Sequence, residues 1–316
     1  MFDVPILITI YNRVDVTFKL YKILEVIQPK YLYINADGPK VNNELDYLRC
    51  NNTRNLFLNL SWDCVIKYNF SSDNKGCKLS VSDAITWFFN ENEYGIILED
   101  DCIPNLSFFY YCKEILEKYK NDNRIFHING TNFSSNVKSY TTDSYSFTKF
   151  VSIWGWATWR RSWLKYDINM INFPNFTKQQ FDNKSFSSYA KHHYYKSFED
   201  MYFNRSNSWC TQWIFAIYFH NGITITPNCN LVSNIGTQDN PTHKFLINRF
   251  RDFLNTKELT FPLIHPKFSI NHKTDMLNFK NYRGKSFIKL FYFLIDNNIF
   301  IIIKYINNLI KNRKFY

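Results

Sequence analysis

Residues 95–101 read Gly-Ile-Ile-Leu-Glu-Asp-Asp, an uncharged run that stops abruptly at three consecutive carboxylates. A short apolar run without alternation marks a strand buried on both faces, and such strands belong to parallel sheets covered by helices on each side. The flanking segments have matching periods. Upstream, beyond the polar loop 69–77, residues 79–90 place Val81, Ala84, Ile85, Phe88 and Phe89 on one side of a helix. Before that loop, residues 62–68 form a third strand, and Tyr-Leu-Tyr-Ile-Asn-Ala at 31–36 forms a second that enters the turn Asp37-Gly38-Pro39. Residues 4–11 are the first strand. They lead through Asn12-Arg13 into a helix opened by Asp15, apolar at positions 16, 20, 23, 24 and 27 and stopped by Pro29. Downstream, Pro104 and a Ser107 cap begin another helix that reaches Lys120, and residues 124–128 are a further strand.

This alternation predicts an α/β fold with a mostly parallel sheet flanked by helices. In such sheets ligands bind outside the carboxyl ends of the strands. Three polar clusters fall there: Asn12-Arg13, Asp37-Gly38 and Glu99-Asp100-Asp101. From residue 131 to 243 the pattern is less regular and dense in aromatics, with Trp-Gly-Trp-Ala-Thr-Trp at 154–159 and Trp-Cys-Thr-Gln-Trp at 209–213.

The 316 residues are 45% apolar and 19% aromatic, which excludes a disordered chain. Net charge is +11, and from Lys244 onward 14 basic residues face 4 acidic ones, so nearly all of the excess lies in the last quarter. A nucleic-acid binder more often spreads its charge over a face of the folded domain, whereas a basic, aromatic-rich end suits an anionic membrane surface. From Ser286 the sequence is strongly apolar but is interrupted by Lys289, Asp296 and Lys304. A spanning helix needs about 20 mostly apolar residues. The segment therefore reads as an in-plane amphipathic helix, with a terminal helix docked on the core as the alternative. Seven cysteines, with no Cys-x-x-Cys pair, suggest free thiols in a reducing compartment. The N-terminal residues, with Asp3 and Pro5, resemble neither a signal peptide nor a span.

The acidic trio carries the sharpest chemistry. Adjacent anions repel one another and leave water at a cost unless a cation joins them. A few hard oxygen ligands suit Mg²⁺ or Mn²⁺, which keep waters and take further ligands from phosphate. The plainer alternative is a solvated acidic turn ahead of the next helix. A two-metal phosphohydrolase or nuclease would disperse several acids and histidines along the chain, and only one tight cluster is present.

The string from Gly95 to Cys112, preceded by Gly-Cys-Lys at 76–78 and followed by Ile-Trp-Gly-Trp-Ala-Thr-Trp, resembles nucleotide-sugar glycosyltransferases of GT-A fold. Within that fold it resembles bacterial sugar transferases related to the N-acetylglucosaminyltransferase I type, whose metal motif is also Glu-Asp-Asp. The resemblance extends from residue 5 through residues 230–236 to 263–268. Residues 269–316, read from their own composition as a basic amphipathic C-terminal helix, lie beyond it; it implies a Rossmann-like nucleotide-sugar half at 1–130 and an acceptor-side half at 131–268. It implies transfer, inverting in stereochemistry, from a UDP-sugar to a hydroxyl of a bacterial surface glycan or lipid-linked saccharide. The membrane-attracted C-terminal tail, not the resemblance, motivates a lipid-linked acceptor at the inner face of the cytoplasmic membrane. Asn12, Arg13, Asp37 and Lys78 would hold the nucleotide, Asp37 reaching its base, while Glu99 and Asp100 would orient sugar and ribose. Asp101 would ligate the Mn²⁺ or Mg²⁺ ion, with His243 as a second metal or phosphate contact or else a structural histidine. Trp154, Trp156 and Trp159, with Gly155 between the first two, would form a wall against which a sugar ring stacks, or Trp156 would belong to the core. Trp209 and Trp213 read as packing residues.

One position departs from the pattern. Relatives that this chain resembles carry Trp-Asp-x-Gln-Trp, and the Asp is the natural base for deprotonating an acceptor hydroxyl. Here it is Cys210. A thiol with an ordinary pKa of about 8.5 is mostly protonated at pH 7. Either Asp200, Glu199 or Asp239 serves as base, or the stereochemistry differs, or activity is weak or lost. The last option leaves a catalytically silent sugar-nucleotide or saccharide-binding protein of the same fold. A Cys introduced by deliberate substitution is a further explanation.

Overall fold

The computed structural model of the chain describes residues 1–135, 142–236 and 254–283. In its first part β1 (Ile6–Ile10), α1 (Val14–Ile27), β2 (Tyr31–Ala36), α2 (Glu44–Asn55), β3 (Val65–Phe70), α3 (Gly76–Glu91) and β4 (Tyr94–Glu99) follow in order. Then come β5 (Cys102–Pro104), α4 (Leu106–Lys118), β6 (Ile125–Asn129), β7 (Tyr145–Thr148), β8 (Trp156–Trp159) and α5 (Arg160–Trp163). The remainder holds α6 (Ser188–Tyr202), α7 (Cys210–Phe219), β9 (Ile223–Pro227), β10 (Val232–Asn234) and α8 (His272–Arg283). The result is a Rossmann-like α/β fold. Eight strands form one mostly parallel sheet in the order β3-β2-β1-β4-β8-β6-β9-β7, and β5 pairs with β10 in a small separate ribbon.

The unbroken apolar runs follow from burial on both faces. Ile6, Ile8 and Ile10 of β1 and Ile96 and Leu98 of β4 pack on one layer with Leu20 and Leu24 of α1 and with Phe108 and Phe109 of α4. Their neighbours Leu7 and Ile97 pack on the other, with Ala84, Ile85 and Phe88 of α3 and with Trp156 and Trp213. Each buried side chain of this size contributes about 1.5–3 kcal/mol relative to an exposed one. The aromatic middle builds a third cluster, in which Phe173, Phe176, Phe181, Phe198, Phe215 and Phe279 interlock.

Several boundaries differ from the expected ones. The third strand begins at Val65 and the helix before β4 at Gly76. Asp15 lies in the first turn of α1 rather than at its cap, which is Arg13. Asn105, not Ser107, caps α4: its side chain accepts from Phe108 N at 3.1 Å, and the Ser107 hydroxyl donates to the same oxygen at 3.0 Å. The helix α2 was not foreseen, and β8 enters antiparallel between β4 and β6. All seven cysteines are free thiols. No helix among the described residues is long and apolar enough to cross a membrane. The segment from Ser286 lies outside the described residues.

Candidate functional site

The carboxyl ends of β1, β2 and β4 converge on a pocket of about 740 Å³. Its wall includes Asn12 and Arg13 from the first strand's loop, Asp37 from the second, and Glu99 and Asp100 from the fourth, so the three clusters picked out by the sequence do come together. Cys77, Ser80 and Val81 of α3 complete one side, and Lys40 and Arg49 stand at the side formed by α2.

Arg13 organises the acidic trio. Its Nε donates to Asp100 Oδ2 at 3.1 Å, its Nη2 donates to Asp100 Oδ1, and the same Nη2 reaches Asp101 Oδ2 at 3.1 Å. Burial opposes the guanidinium charge, but Asp100 and then Asp101 outweigh it, and Arg13 stays firmly protonated. Burial, then the negative charges of Asp101 and Asp100, push the Glu99 carboxyl up. Burial also raises Asp100, against the pull of Arg13. Among the described residues no hydrogen bond reaches the Glu99 side chain, which faces the pocket half-buried.

Asp101 is held from the far side. Asn234 Nδ2 donates to its Oδ1 at 2.9 Å, and Ile235 N donates to its backbone carbonyl at 3.0 Å. Gly236 lies so close that a Cβ there would collide with the Asp101 carboxylate. The antiparallel β5–β10 ribbon creates this proximity, pairing Asn234 with Cys102. Among the described residues no three His, Cys, Asp or Glu side chains converge on a single point. Among the described residues the donor set is therefore not an all-protein cage. Asp101 Oδ1 takes a second donor, the Cys102 thiol at 3.8 Å, whereas among the described residues Oδ2 has Arg13 alone and keeps a free lone pair, which fits a hard dication that draws its other ligands from water and phosphate.

Asn12 and Asp37 are fixed by the chain itself. Asn12 Nδ2 and Tyr11 Oη each donate to Asp46 at 2.5 Å, and Lys40 N donates to the same carboxylate at 2.7 Å. Asp46 is buried in the first turn of α2. Asp37 accepts from Gly38 N, Lys75 N and Gly76 N at 2.8–2.9 Å and from Asn74 Nδ2 at 3.2 Å. Its carboxylate thus ties the start of α3 to the end of β2, with both oxygens engaged by the chain's own donors, while the residue still lines the pocket. Lys78 sits on the first turn of α3 and does not line the pocket.

The remaining expected residues divide. Trp156 is fully buried, stacked between His127 at 4.9 Å and Trp209 at 5.9 Å. It has no face to offer a sugar, so its core reading holds. Gly155 has φ +60°, and a Cβ there would press on Val232 and Leu98; the close approach it permits is to the chain's own core. Trp154 is half-buried against Phe133 at 5.2 Å. Trp209 and Trp213 are core.

Cys210 begins α7, its Sγ 3.0 Å from Ser208 Oγ. Burial pushes the thiol up, and the nearby Glu99 charge adds to it. Asp200 is engaged by Lys196 at 3.0 Å and Arg205 at 2.9 Å on α6, and Glu199 by the same two cations; neither lines the pocket. The structure corrects the expectation that either stands ready as base. Asp239 and His243 lie outside the described residues.

No protein-family model matches the chain, and no curated protein matches it. Among solved structures, UDP-glucose pyrophosphorylase complexed with UDP-glucose is similar over 71% of this chain and 90% of that one, with a TM-score of 0.35 and 8% identity. The architecture stated above rests on the strand order itself.

Sequence reading missed Tyr11, Lys40, Asp46 and Arg49. Nothing local separates Asp46 from Glu44 beside it; only the approach of two distant loops does. Asn234 and Gly236 had a signal, since both fall in the 230–236 segment that carries the family resemblance.

Proposed function

We propose that the chain is a metal-dependent glycosyltransferase of GT-A type. It would move a sugar from a nucleotide diphosphate, of the uridine class, to a hydroxyl of a membrane-carried bacterial saccharide. The observation that carries the reading is the convergence of Arg13, Glu99 and Asp100, with Asp101 at their border, on one polar pocket at the carboxyl edge of the sheet. Fully ionised, the three carboxylates and Arg13 sum to two negative charges, which a single Mn²⁺ or Mg²⁺ would balance. Asp101 would hold that ion, whose chemistry is to neutralise charge gathering on a departing diphosphate. Arg13 keeps Asp100 oriented, and Asp46 keeps Asn12 and Tyr11 against the pocket. Lys40 and Arg49 supply positive charge at its wall.

Calorimetric titration with UDP, other nucleoside diphosphates and UDP-sugars, each with and without Mn²⁺, tests this reading. Binding of the uridine compounds that strengthens with Mn²⁺ and is lost in Asp101→Ala is the expected result; no binding by any of them overturns it.

A silent binding protein of the same fold is favoured by one observation, the half-buried Cys210, its thiol pushed up by burial, at the position of the expected base. Transfer or donor hydrolysis by the native chain, abolished in Asp101→Ala, rejects that reading. Activity gained only with Cys210→Asp supports it.

A further inference from the structure

Of the acidic trio, Asp101 alone has its side chain held by β10 among the described residues. The hold is a closed ring. Asn234 Nδ2 donates to Asp101 Oδ1 at 2.9 Å, Asn234 Oδ1 accepts from Gly236 N at 3.0 Å, and Gly236 itself rests against the Asp101 carboxylate. The backbone closes the ring a second time, through Ile235 N and the Asp101 carbonyl. Gly236 N can only donate, which settles which end of the Asn234 amide faces it and turns the NH₂ toward Asp101. An amide tied at its carbonyl in this way has little freedom to swing off Oδ1.

The two oxygens of Asp101 are thereby made unequal. Oδ1 accepts from Asn234 and, weakly, from the Cys102 thiol, which engages both of its lone pairs. Oδ2 accepts from Arg13 alone among the described residues. A cation therefore meets one available oxygen, on a carboxylate that Gly236 and Arg13 keep from turning. Such a carboxylate gives a metal one bond, not two. This separates ions that charge alone would not, since the trio and Arg13 attract any dication through the same field. Mg²⁺ demands an octahedral set that water and phosphate can complete, and Mn²⁺ accepts the same donors. Ca²⁺ is larger, takes six to eight oxygens and gains from carboxylates that chelate through both.

We propose that Asn234 is a positioning residue that sets how Asp101 meets a cation: it occupies Oδ1, restricts the carboxylate to a single bond through Oδ2, and so selects Mg²⁺ and Mn²⁺ over Ca²⁺. The inference rests on the metal-dependent reading proposed above and deepens it, from which residue holds the ion to which ion is held. Asn234 acts through Asp101 and does not line the pocket. Without its amide, Oδ1 would keep only the thiol, a weak donor that a cation displaces readily.

The experiment titrates the full native chain, Asn234→Ser, Asn234→Thr and Asn234→Asp with Mn²⁺, followed by the paramagnetic resonance of the free ion. Mg²⁺ and Ca²⁺ are then measured as competitors, without and with UDP. Each substitution leaves an oxygen that can accept from Gly236 N and removes the donor to Oδ1; only Asn234→Asp adds charge. Thermal melting without metal reports whether each variant folds. We expect the ratio of Ca²⁺ to Mg²⁺ affinity to rise roughly tenfold over native in the uncharged variants. A merely structural role would weaken all three ions together, and an unchanged ratio in the folded uncharged variants overturns the proposal. A rise in Asn234→Asp alone traces to the new carboxylate and overturns it too, as does a native preference for Ca²⁺. A native chain that binds Mn²⁺ with the expected selectivity but no nucleotide leaves the role of Asn234 standing and removes the function proposed above. A native chain that binds none of the three ions overturns both.

Discussion

Asp46 shows how a single residue holds the pocket without announcing itself in the sequence. It accepts from Tyr11, Asn12 and Lys40 N, and removing it leaves two side-chain donors and one backbone donor without a partner. Asp46→Ala should destabilise the fold by about 2–3 kcal/mol in chemical denaturation, and Asp46→Asn by less because one acceptor oxygen survives. Both should weaken UDP binding, which titration reads directly. A second residue-scale prediction concerns pH. Asp275 is buried in α8, where its Oδ1 accepts from Lys149 N and Phe150 N, and burial pushes its carboxyl up to about 7. In the unfolded chain it titrates near the ordinary value of about 4. The fold therefore holds a proton that the unfolded chain releases between these values, and its contribution to stability falls as pH rises from about 4 to about 7, then stays flat. Asp275→Asn should keep the two backbone hydrogen bonds and flatten the pH dependence of stability across that window. An unchanged slope in denaturation measured at successive pH values would contradict this.

At the scale of elements, the apolar strands of the first half were legible because burial on both faces leaves an unbroken run, and α3 was legible because its apolar positions recur at helical spacing. Helix α2 was not. Glu-Leu-Asp-Tyr-Leu-Arg-Cys-Asn-Asn-Thr-Arg-Asn is polar on most of its circumference, and its buried residues, Asp46, Cys50 and Thr53, are not the apolar ones that a periodicity search weighs. β8 was hidden for another reason. Its tryptophans read equally well as a sugar platform or as core, and only antiparallel insertion between β4 and β6 buries Trp156 completely. The turn that leads into β8 depends on Gly155. Gly155→Ala should cost more than about 1 kcal/mol, since the left-handed backbone and the crowding against Val232 act together. Thermal denaturation measures that loss, and a variant as stable as native would show that the turn relaxes.

Across the whole molecule, α8 closes the aromatic half of the structure. It supplies Asp275 to the chain beyond β7 and Asn278 and Asn281 to Phe133, while Phe279 enters the third aromatic cluster. A chain ending at residue 271 should lose cooperative unfolding or aggregate, because Lys149 N and Phe150 N would be left unpaired next to uncovered aromatic rings. A cooperative transition at the native midpoint would show that α8 is dispensable. The sequence by itself determined the alternation of buried strands and helices and, through it, the edge where Asn12, Arg13, Asp37 and the acidic trio would gather. Both are properties of local period and of charge at strand ends. Only the tertiary structure decided that Arg13 pairs with Asp100, 87 residues away, that Asp37 serves the chain's own backbone, that Asp200 is bound in surface ion pairs, and that Trp156 is core. The reason is physical: a residue's period shows which way it faces, whereas its partner is chosen by distant segments whose approach is set by packing, and no local pattern carries that choice.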